Sequence, residues 1–308
     1  MQLTQKVKGN HSLNEGEQVA VDLKTQMNLV NARSYFPKYR MEEILLRQKK
    51  YELWRMEKAN RFTVPKGLVK FTPSGASKCK RELFYKALRM EQMNENSPFN
   101  NRWTRNSTAV HEAVQRDILY APALLDKPFF NIQMVDKGEF GLLPAWEKNI
   151  ESYKIIEHKG IKFVVSGMMD GLLTHTASGK TYGFEFKTKS NDNYQVHKMN
   201  KPNPKHVQQC VAYSLLFETP NGEPVDDYLL SYEAVPKDKW QAGSSALEDI
   251  KIFHVKITQR QKTSLLNKFA SVAEMVETGE LPDKEVSKCL FCPYKAICLT
   301  GGMGFGQA

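Results

Sequence analysis

The chain has 308 residues, 41% hydrophobic and 25% charged, the make-up of a globular protein with one large core or two modest ones. Its 44 Lys and Arg against 34 Asp and Glu leave a net charge of +10, which fits either a nucleic-acid partner or simply a solvated basic surface. The apolar runs at 215–217 and 163–165 are far too short to span a bilayer, and the polar N-terminus lacks the apolar middle of a secretory signal, so no membrane and a cytoplasmic location are expected. In that compartment the five cysteines are expected to be reduced, as ligands, nucleophiles or core fillers.

Residues 1 to about 35 are polar and weakly patterned, which predicts a mobile arm or a loosely packed helix. Over 39–60, Met41, Ile44, Leu45, Leu53 and Trp54 recur at helical spacing among alternating charges and predict one long helix. Pro65 and Gly67 interrupt it. A second helix is expected from Ser74 or Ser77 to about Met90, and a third over 104–119 with Val110, Val114, Ile118 and Leu119 on its apolar face. After Glu151 three β-rich runs, separated at Lys159-Gly160 and at 177–180, predict an antiparallel meander. A helix over 205–217, strands near 228–234 and 252–257, and a helix capped by Thr258 and reaching about Glu277 complete the pattern.

The strongest local signal is GMMDGLL followed by GFEFKTK. Alternation along a strand puts Glu185 and Lys187 on one face. A two-residue turn at Ser178-Gly179 sets Asp170 opposite Lys187 and Leu172 opposite Glu185, gathering all three polar groups on one side. Such a set suits phosphodiester hydrolysis: carboxylates hold a hard divalent cation, and a lysine orients water or offsets charge in the transition state. The same residues also fit a surface cross-strand ion pair, but the apolar flanks at 163–165, 168–169, Phe184 and Phe186 favour the site. Gln209 and Tyr213, four apart on a helix, can both face the sheet. His111, alone on its helix, fits a core histidine as readily as a ligand.

Histidine, then Asp, then Glu-x-Lys, then Gln-x-x-x-Tyr is an order that resembles the RecB-type nucleases of the PD-(D/E)XK superfamily; here it reads His111, Asp170, Glu185-Phe186-Lys187 and Gln209 to Tyr213. The resemblance implies an α/β fold with a central mixed β-sheet flanked by helices. It further implies Mg²⁺ or Mn²⁺ held by His111, Asp170, Glu185 and the Phe186 carbonyl, with Lys187 as the catalytic lysine and Gln209 and Tyr213 in support. Two positions depart from the family pattern: Ser107 stands where a glycine is frequent, and Met169 where a proline is.

Cys289, Cys292 and Cys298 cluster near the C-terminus, and Cys79 stands far upstream; four thiolates suit an iron–sulfur cluster or, with different spacing, zinc. The Cys79, Arg81, Tyr85 spacing resembles the opening of the iron–sulfur RecB-type nucleases, the group of the AddB nuclease domain and the CRISPR-adaptation nucleases. That resemblance implies a [4Fe–4S] cluster on Cys79, Cys289, Cys292 and Cys298, stapling the C-terminal segment to the domain. Cys210 is expected to be a buried filler.

The expected organisation is a helical extension over 1–70, a nuclease domain over 71–300 and a flexible tail over 301–308. Basic residues interleaved with aromatics, Lys187, Lys189, Tyr194, Lys198, Lys201 and Lys205, and Arg102, Trp103 and Arg105, offer phosphate contacts and base stacking. The expected activity is a metal-dependent DNA exonuclease acting on single-stranded ends in recombination, repair or replication, of phage or prokaryotic origin by family association. A structure-specific endonuclease and a non-catalytic iron–sulfur DNA-binding adaptor are the alternatives. No Gly-rich loop ending in Gly-Lys-Ser/Thr occurs, so a helicase or recombination protein would be a separate partner.

Overall fold

Helix α1 (Glu15–Asn31) starts from a reciprocal cap: Asn14 accepts from the Glu17 amide and Glu17 accepts from the Asn14 amide. The computed structural model to which it belongs describes residues 13–33, 37–58, 63–92, 97–189, 192–290 and 292–299. The expected arm or loose helix is therefore corrected for the described residues. Val19, Leu23, Met27 and Val30 of α1 are buried, and its Gln26 side chain pairs with both the N–H and the C=O of Phe130. Weak patterning arose because Asp22 and Gln26 are buried with partners, which blurs the apolar stripe.

Helix α2 (Tyr39–Glu57) and strand β1 (Val69–Phe71) precede a short turn at Pro73–Gly75 and helix α3 (Lys80–Ala87). Cys79, not Ser74 or Ser77, caps α3, its sulfur accepting from the Glu82 amide at 3.3 Å. Helix α4 (Pro98–Leu124) begins six residues before the predicted start, at a Ser97 cap with Pro98 in the first turn. Its first turns are exposed and so carried no apolar signal.

Short strands β2 (Phe130–Ile132), β3 (Met134–Asp136) and β4 (Leu142–Pro144) lead into β5 (Ser152–His158), β6 (Ile161–Gly167), β7 (Gly171–His175) and β8 (Thr181–Lys189). Helices α5 (Asn193–His197) and α6 (Pro204–Tyr213) follow, then β9 (Asp227–Ala234), β10 (Ile250–Lys256), α7 (Gln259–Thr278) and α8 (Lys295–Leu299). Thr258 caps α7 as expected, and Gly279 ends it at φ +76°, a left-handed stop that glycine adopts without a Cβ penalty.

The expected meander is corrected. β5 and β6 join β1 in a three-stranded sheet, β1–β6–β5, whereas β7 and β8 belong to the central sheet, β10–β9–β8–β7–β2. The chain leaves one sheet for the other at Met168, Met169 and Asp170. β8 and β9 run parallel, so the central sheet is mixed; a parallel pair needs a crossover, which α5 and α6 supply.

The β7–β8 register also differs, with Leu172 opposite Gly183 and Gly171 opposite Phe184, two residues from the expected pairing. The loop is longer than two residues: the Gly179 amide donates to the His175 carbonyl at 2.8 Å, and the His175 amide to the Lys180 carbonyl at 2.9 Å. A slip of two keeps every side chain on its face, where a slip of one would have reversed them all.

Two apolar cores lie on the two faces of the central sheet. One, under α6 and α7, contains Phe71, Phe163, Met169, Tyr213, Tyr228 and Phe269, with Phe71 and Phe269 stacked at 4.3 Å. The other, under α1 and α4, takes Leu23, Ile118, Leu119, Phe130, Tyr182, Phe184, Phe186 and Leu229. β8 feeds both: Tyr182, Phe184 and Phe186 face the α4 side, while Gly183, Glu185 and Lys187 alternate to the other. At Gly183 an added Cβ would come within 2.3 Å of the Tyr228 ring, so only glycine lets β9 and Met169 approach this closely. No helix among the described residues is long and apolar enough to cross a membrane.

Candidate active site

β7 begins at Gly171, but β8 continues beyond its partner Phe184 to Lys189. Past that point β8 has β9 on one edge and an open edge on the other, and a cleft of about 410 Å³ forms there. His111, Glu147, Asp170, Phe186, Lys187, Lys189 and His206 line it.

Asp170 stands at the break between the two sheets. Its Oδ2 accepts the Phe186 amide at 2.8 Å and faces His111 Nε2 at 3.0 Å. Because the N–H and C=O of a strand residue leave by the same edge, the Phe186 carbonyl also projects towards the open side. The Phe186 ring packs beneath His111 edge-on, with centroids 5.5 Å apart. Ser107, one turn before His111, accepts from the Thr188 hydroxyl at 3.1 Å and ties α4 to β8.

Glu185, in the centre of β8, has no solvent exposure. Burial first, then repulsion by Asp170, push its carboxyl above the usual range; Lys187 and the nearby Tyr213 hydroxyl offset part of this. Lys187 forms an ion pair with Glu185. Burial pulls the Lys187 ammonium down, but Glu185 and Asp170 outweigh it and raise its pKa, so it remains charged. Burial likewise opposes the charged form of His111, yet hydrogen bonds and charge from Asp170 and Glu147 lift it to about 10. The Gln209 amide donates to the Tyr213 hydroxyl at 2.7 Å, and α6 carries both residues over β8.

The donor types suit a hard divalent cation: an imidazole, two carboxylates and a backbone carbonyl around the open edge of β8. Both Glu185 oxygens are buried without a well-formed hydrogen bond, which a cation would satisfy. Among the described residues no three His, Cys, Asp or Glu side chains stand in ligand geometry; His111 instead turns onto Asp170 and Lys187 onto Glu185.

That absence of ligand geometry holds for the cysteines too. Cys79 is occupied as the α3 cap, Cys289 donates to the Glu285 carbonyl at 3.7 Å, and Arg81 Nη1 reaches Cys298 at 3.9 Å. The two ends of the domain do meet, since Tyr85 packs on Tyr294 at 5.6 Å and feels Cys298, Cys292 and Cys79 electrostatically. The expected four-thiolate staple is thus not assembled as a ligand set. Cys210 is fully buried in α6, as a filler should be.

The sequence did not point to Glu147 and His206 in the cleft, nor to Gln115 behind Glu147. Glu147 contacts His111 Nδ1 at 3.3 Å, and the Gln115 side chain bridges Glu147 (3.4 Å) and the Asp170 carbonyl (3.1 Å). His206 bonds the Tyr232 hydroxyl at 2.9 Å; burial, then Lys187, Lys189 and Lys205, lower its pKa to about 4. Only Glu147 lies outside any periodic pattern: Gln115 is four residues after His111 on α4 and His206 seven before Tyr213 on α6, so helical spacing is the signal that could have found both. A larger cleft, about 720 Å³ and lined by Lys180, Asp226 and Asp227 among others, lies apart from the Glu185–Lys187 pair.

A sequence profile of the PD-(D/E)XK nuclease superfamily matches residues 82–299. Among solved structures, similarity is found to SSO0001 (15% identity, 86% of this chain and 98% of that one, TM-score 0.44). It is also found to an alkaline exonuclease, LHK-Exo, from Laribacter hongkongensis (12%, 68% and 89%, TM-score 0.40) and to LHK-Exo in complex with dAMP (15%, 70% and 90%, TM-score 0.37). Scores this low add nothing about activity. Against curated proteins no significant match is found. The profile spans most of the chain, the cleft included, and on that ground the chain belongs to the PD-(D/E)XK nuclease superfamily.

Proposed function

We propose that this nuclease-superfamily member is a Mg²⁺- or Mn²⁺-dependent DNA exonuclease acting on single-stranded ends. The observation that carries the reading is the convergence of His111, Asp170, Glu185 and Lys187 at the open edge of β8. His111, Asp170, Glu185 and the Phe186 carbonyl would hold the cation. A cation there supplies charge to bind the scissile phosphate and to acidify an attacking water. Lys187, kept protonated by its two carboxylate neighbours, offsets negative charge developing on the phosphate. Gln209 and Tyr213 support Glu185 and the DNA end from α6.

Support for unpaired DNA comes from α4. Phe99, Trp103, Ser107 and His111 fall on one i, i+4 row, so Trp103 lies about 12 Å and Phe99 about 18 Å from His111 along the axis. Both aromatics are exposed and in edge-on contact at 5.7 Å, with Arg102 and Arg105 exposed beside them. Stacking on bases two or three nucleotides from the reacting phosphate suits that spacing.

Degradation of end-labelled and circular single-stranded DNA with Mn²⁺ tests the reading, comparing the native chain with Asp170→Ala and Lys187→Ala. Loss of end-dependent degradation in both variants is expected. Undiminished degradation would sink the site, and cleavage of circles would replace the exonuclease with the endonuclease. DNA binding without cleavage by the native chain would favour the adaptor.

A [4Fe–4S] cluster on Cys79, Cys289, Cys292 and Cys298 forms the second part of the proposal, supported by the neighbourhood of Cys79, Cys292 and Cys298 around Tyr85 and of Cys289 near Cys292. An anaerobic preparation should then be brown, absorb near ~400 nm and contain iron and sulfide. A colourless preparation with stoichiometric zinc would overturn it.

A further inference from the structure

We propose that Glu147 is a positioning residue for the metal-binding histidine, holding the His111 imidazole by Nδ1 so that Nε2 is presented beside Asp170. The inference rests on the metal-site reading above. A neutral imidazole carries one N–H and one lone pair, and whichever nitrogen keeps the proton needs an acceptor. Nε2 lies 3.0 Å from Asp170 Oδ2, on the side where the other donors gather; Nδ1 lies 3.3 Å from Glu147 Oε1. When a cation takes the place of the Nε2 proton, an Nδ1–H donated to Glu147 would keep the lone pair on Nε2 for it. Carboxylates behind ligating histidines do this elsewhere, setting both tautomer and ring angle.

The way the chain holds Glu147 supports the assignment. The segment before it runs beside the stretch that bears Asp170: the Leu172 amide donates to the Ala145 carbonyl at 2.9 Å and the Glu147 amide to the Met169 carbonyl at 2.7 Å. The two carboxylates are therefore fixed relative to each other through the backbone. Trp146 is buried and its indole N–H is donated to Gln48 at 2.9 Å. Glu147 itself sits at φ +41°, a left-handed conformation that costs free energy for any residue with a Cβ. Glycine would adopt it freely, yet the position carries a carboxylate aimed at His111. Gln115, buried on α4, completes the clamp by donating to both Glu147 and the Asp170 carbonyl.

The test is Mn²⁺ binding to the full chain, followed by electron paramagnetic resonance, for the native protein, Glu147→Gly, Glu147→Gln and His111→Ala. Glu147→Gly should bind Mn²⁺ about 10- to 100-fold more weakly, the usual loss for such a partner. Its melting temperature in metal-free buffer should stay level or rise, because the strained φ is relieved. Nitrogen-15 spectra of the Mg²⁺-loaded protein should show His111 protonated at Nδ1, and mixed tautomers in Glu147→Gly; Glu147→Gln, which keeps an acceptor oxygen, should fall between. Unchanged Mn²⁺ affinity in a folded Glu147→Gly overturns the inference. So does weakened affinity with an unchanged tautomer, which makes Glu147 a direct ligand, or weakened affinity with a lowered melting temperature, which makes it a fold support. If His111→Ala leaves Mn²⁺ affinity untouched, the metal-site reading fails instead.

Discussion

The carboxylate cleft and the cysteine end are each built from residues far apart in sequence, but they are held by different means. In the cleft, Glu185, Phe186 and Lys187 ride on β8, whose pairing with β9 fixes them through backbone hydrogen bonds, and Asp170, just before β7, is tied to β8 by the Phe186 amide. At the other end, Cys79 caps a two-turn helix, Cys289 and Cys292 lie in turns, and Cys298 sits on the short α8. No ladder registers these thiols; packing such as Tyr85 on Tyr294 brings the segments together without orienting each sulfur. Strand pairing fixes the backbone of the groups it carries, whereas thiols placed on turns need a further bond to define their positions.

The largest effects that would break this contrast concern chemistry in the cleft. Asp170→Asn and Lys187→Ala should each lower the rate of DNA hydrolysis at least ~10²-fold while leaving the far-ultraviolet circular dichroism and melting profile close to native. Comparable loss of structure would mean that these residues serve the fold rather than the reaction.

Next in size is the packing of the cysteine end. Tyr85 is buried against Tyr294, so Tyr85→Ala should cost about 3–5 kcal/mol by denaturant unfolding, as large aromatic truncations do. The Tyr85 hydroxyl, however, is buried without a hydrogen-bond partner. Tyr85→Phe should therefore stabilise the metal-free protein by about 1 kcal/mol. A destabilisation of that size would mean that the hydroxyl does have a partner in the metal-free fold.

The smallest expected effects are in the pH dependence of stability, and each region contributes to a different window. His206, in the cleft, is lowered from 6.5 to about 4, so the unfolded chain binds more protons between those values; stability is lost as pH falls through that window. Lys268 donates to the Ala76 carbonyl at 2.8 Å beside the Cys79 cap. Burial, then Lys288, lower its pKa from 10.5 to about 8, so stability rises as pH climbs from 8 towards 10.5. Thermal melts of His206→Gln and Lys268→Met should flatten the acid and the alkaline limb respectively, and a variant that flattens both would mean that the two regions are coupled.

Much of the cleft was legible in the sequence because strand alternation is a local property. Glu185 and Lys187 share a face whatever the register, and the real register missed the expected one by two residues without moving either to the other side. Gln209 and Tyr213 were legible for the same reason at helical spacing, as was the Thr258 cap. The break at 168–170, which turns an apparent meander into two sheets, was not legible, because apolar residues continue through it and both sheets bury them. Nor was α1, whose buried Asp22 and Gln26 look like surface residues until His175 and Phe130 are brought to them.

By itself the sequence determined the candidate set: a histidine, two carboxylates and a lysine in family order, with periodicities that put most of them on facing elements. Tertiary structure alone decided that β8 outruns β7 and so leaves an open edge where those groups meet. It also decided that Glu147, from a segment with no motif, stands behind His111. Periodicity reports which way a side chain points from its own element, but where two elements end relative to each other is fixed only when their cores are packed.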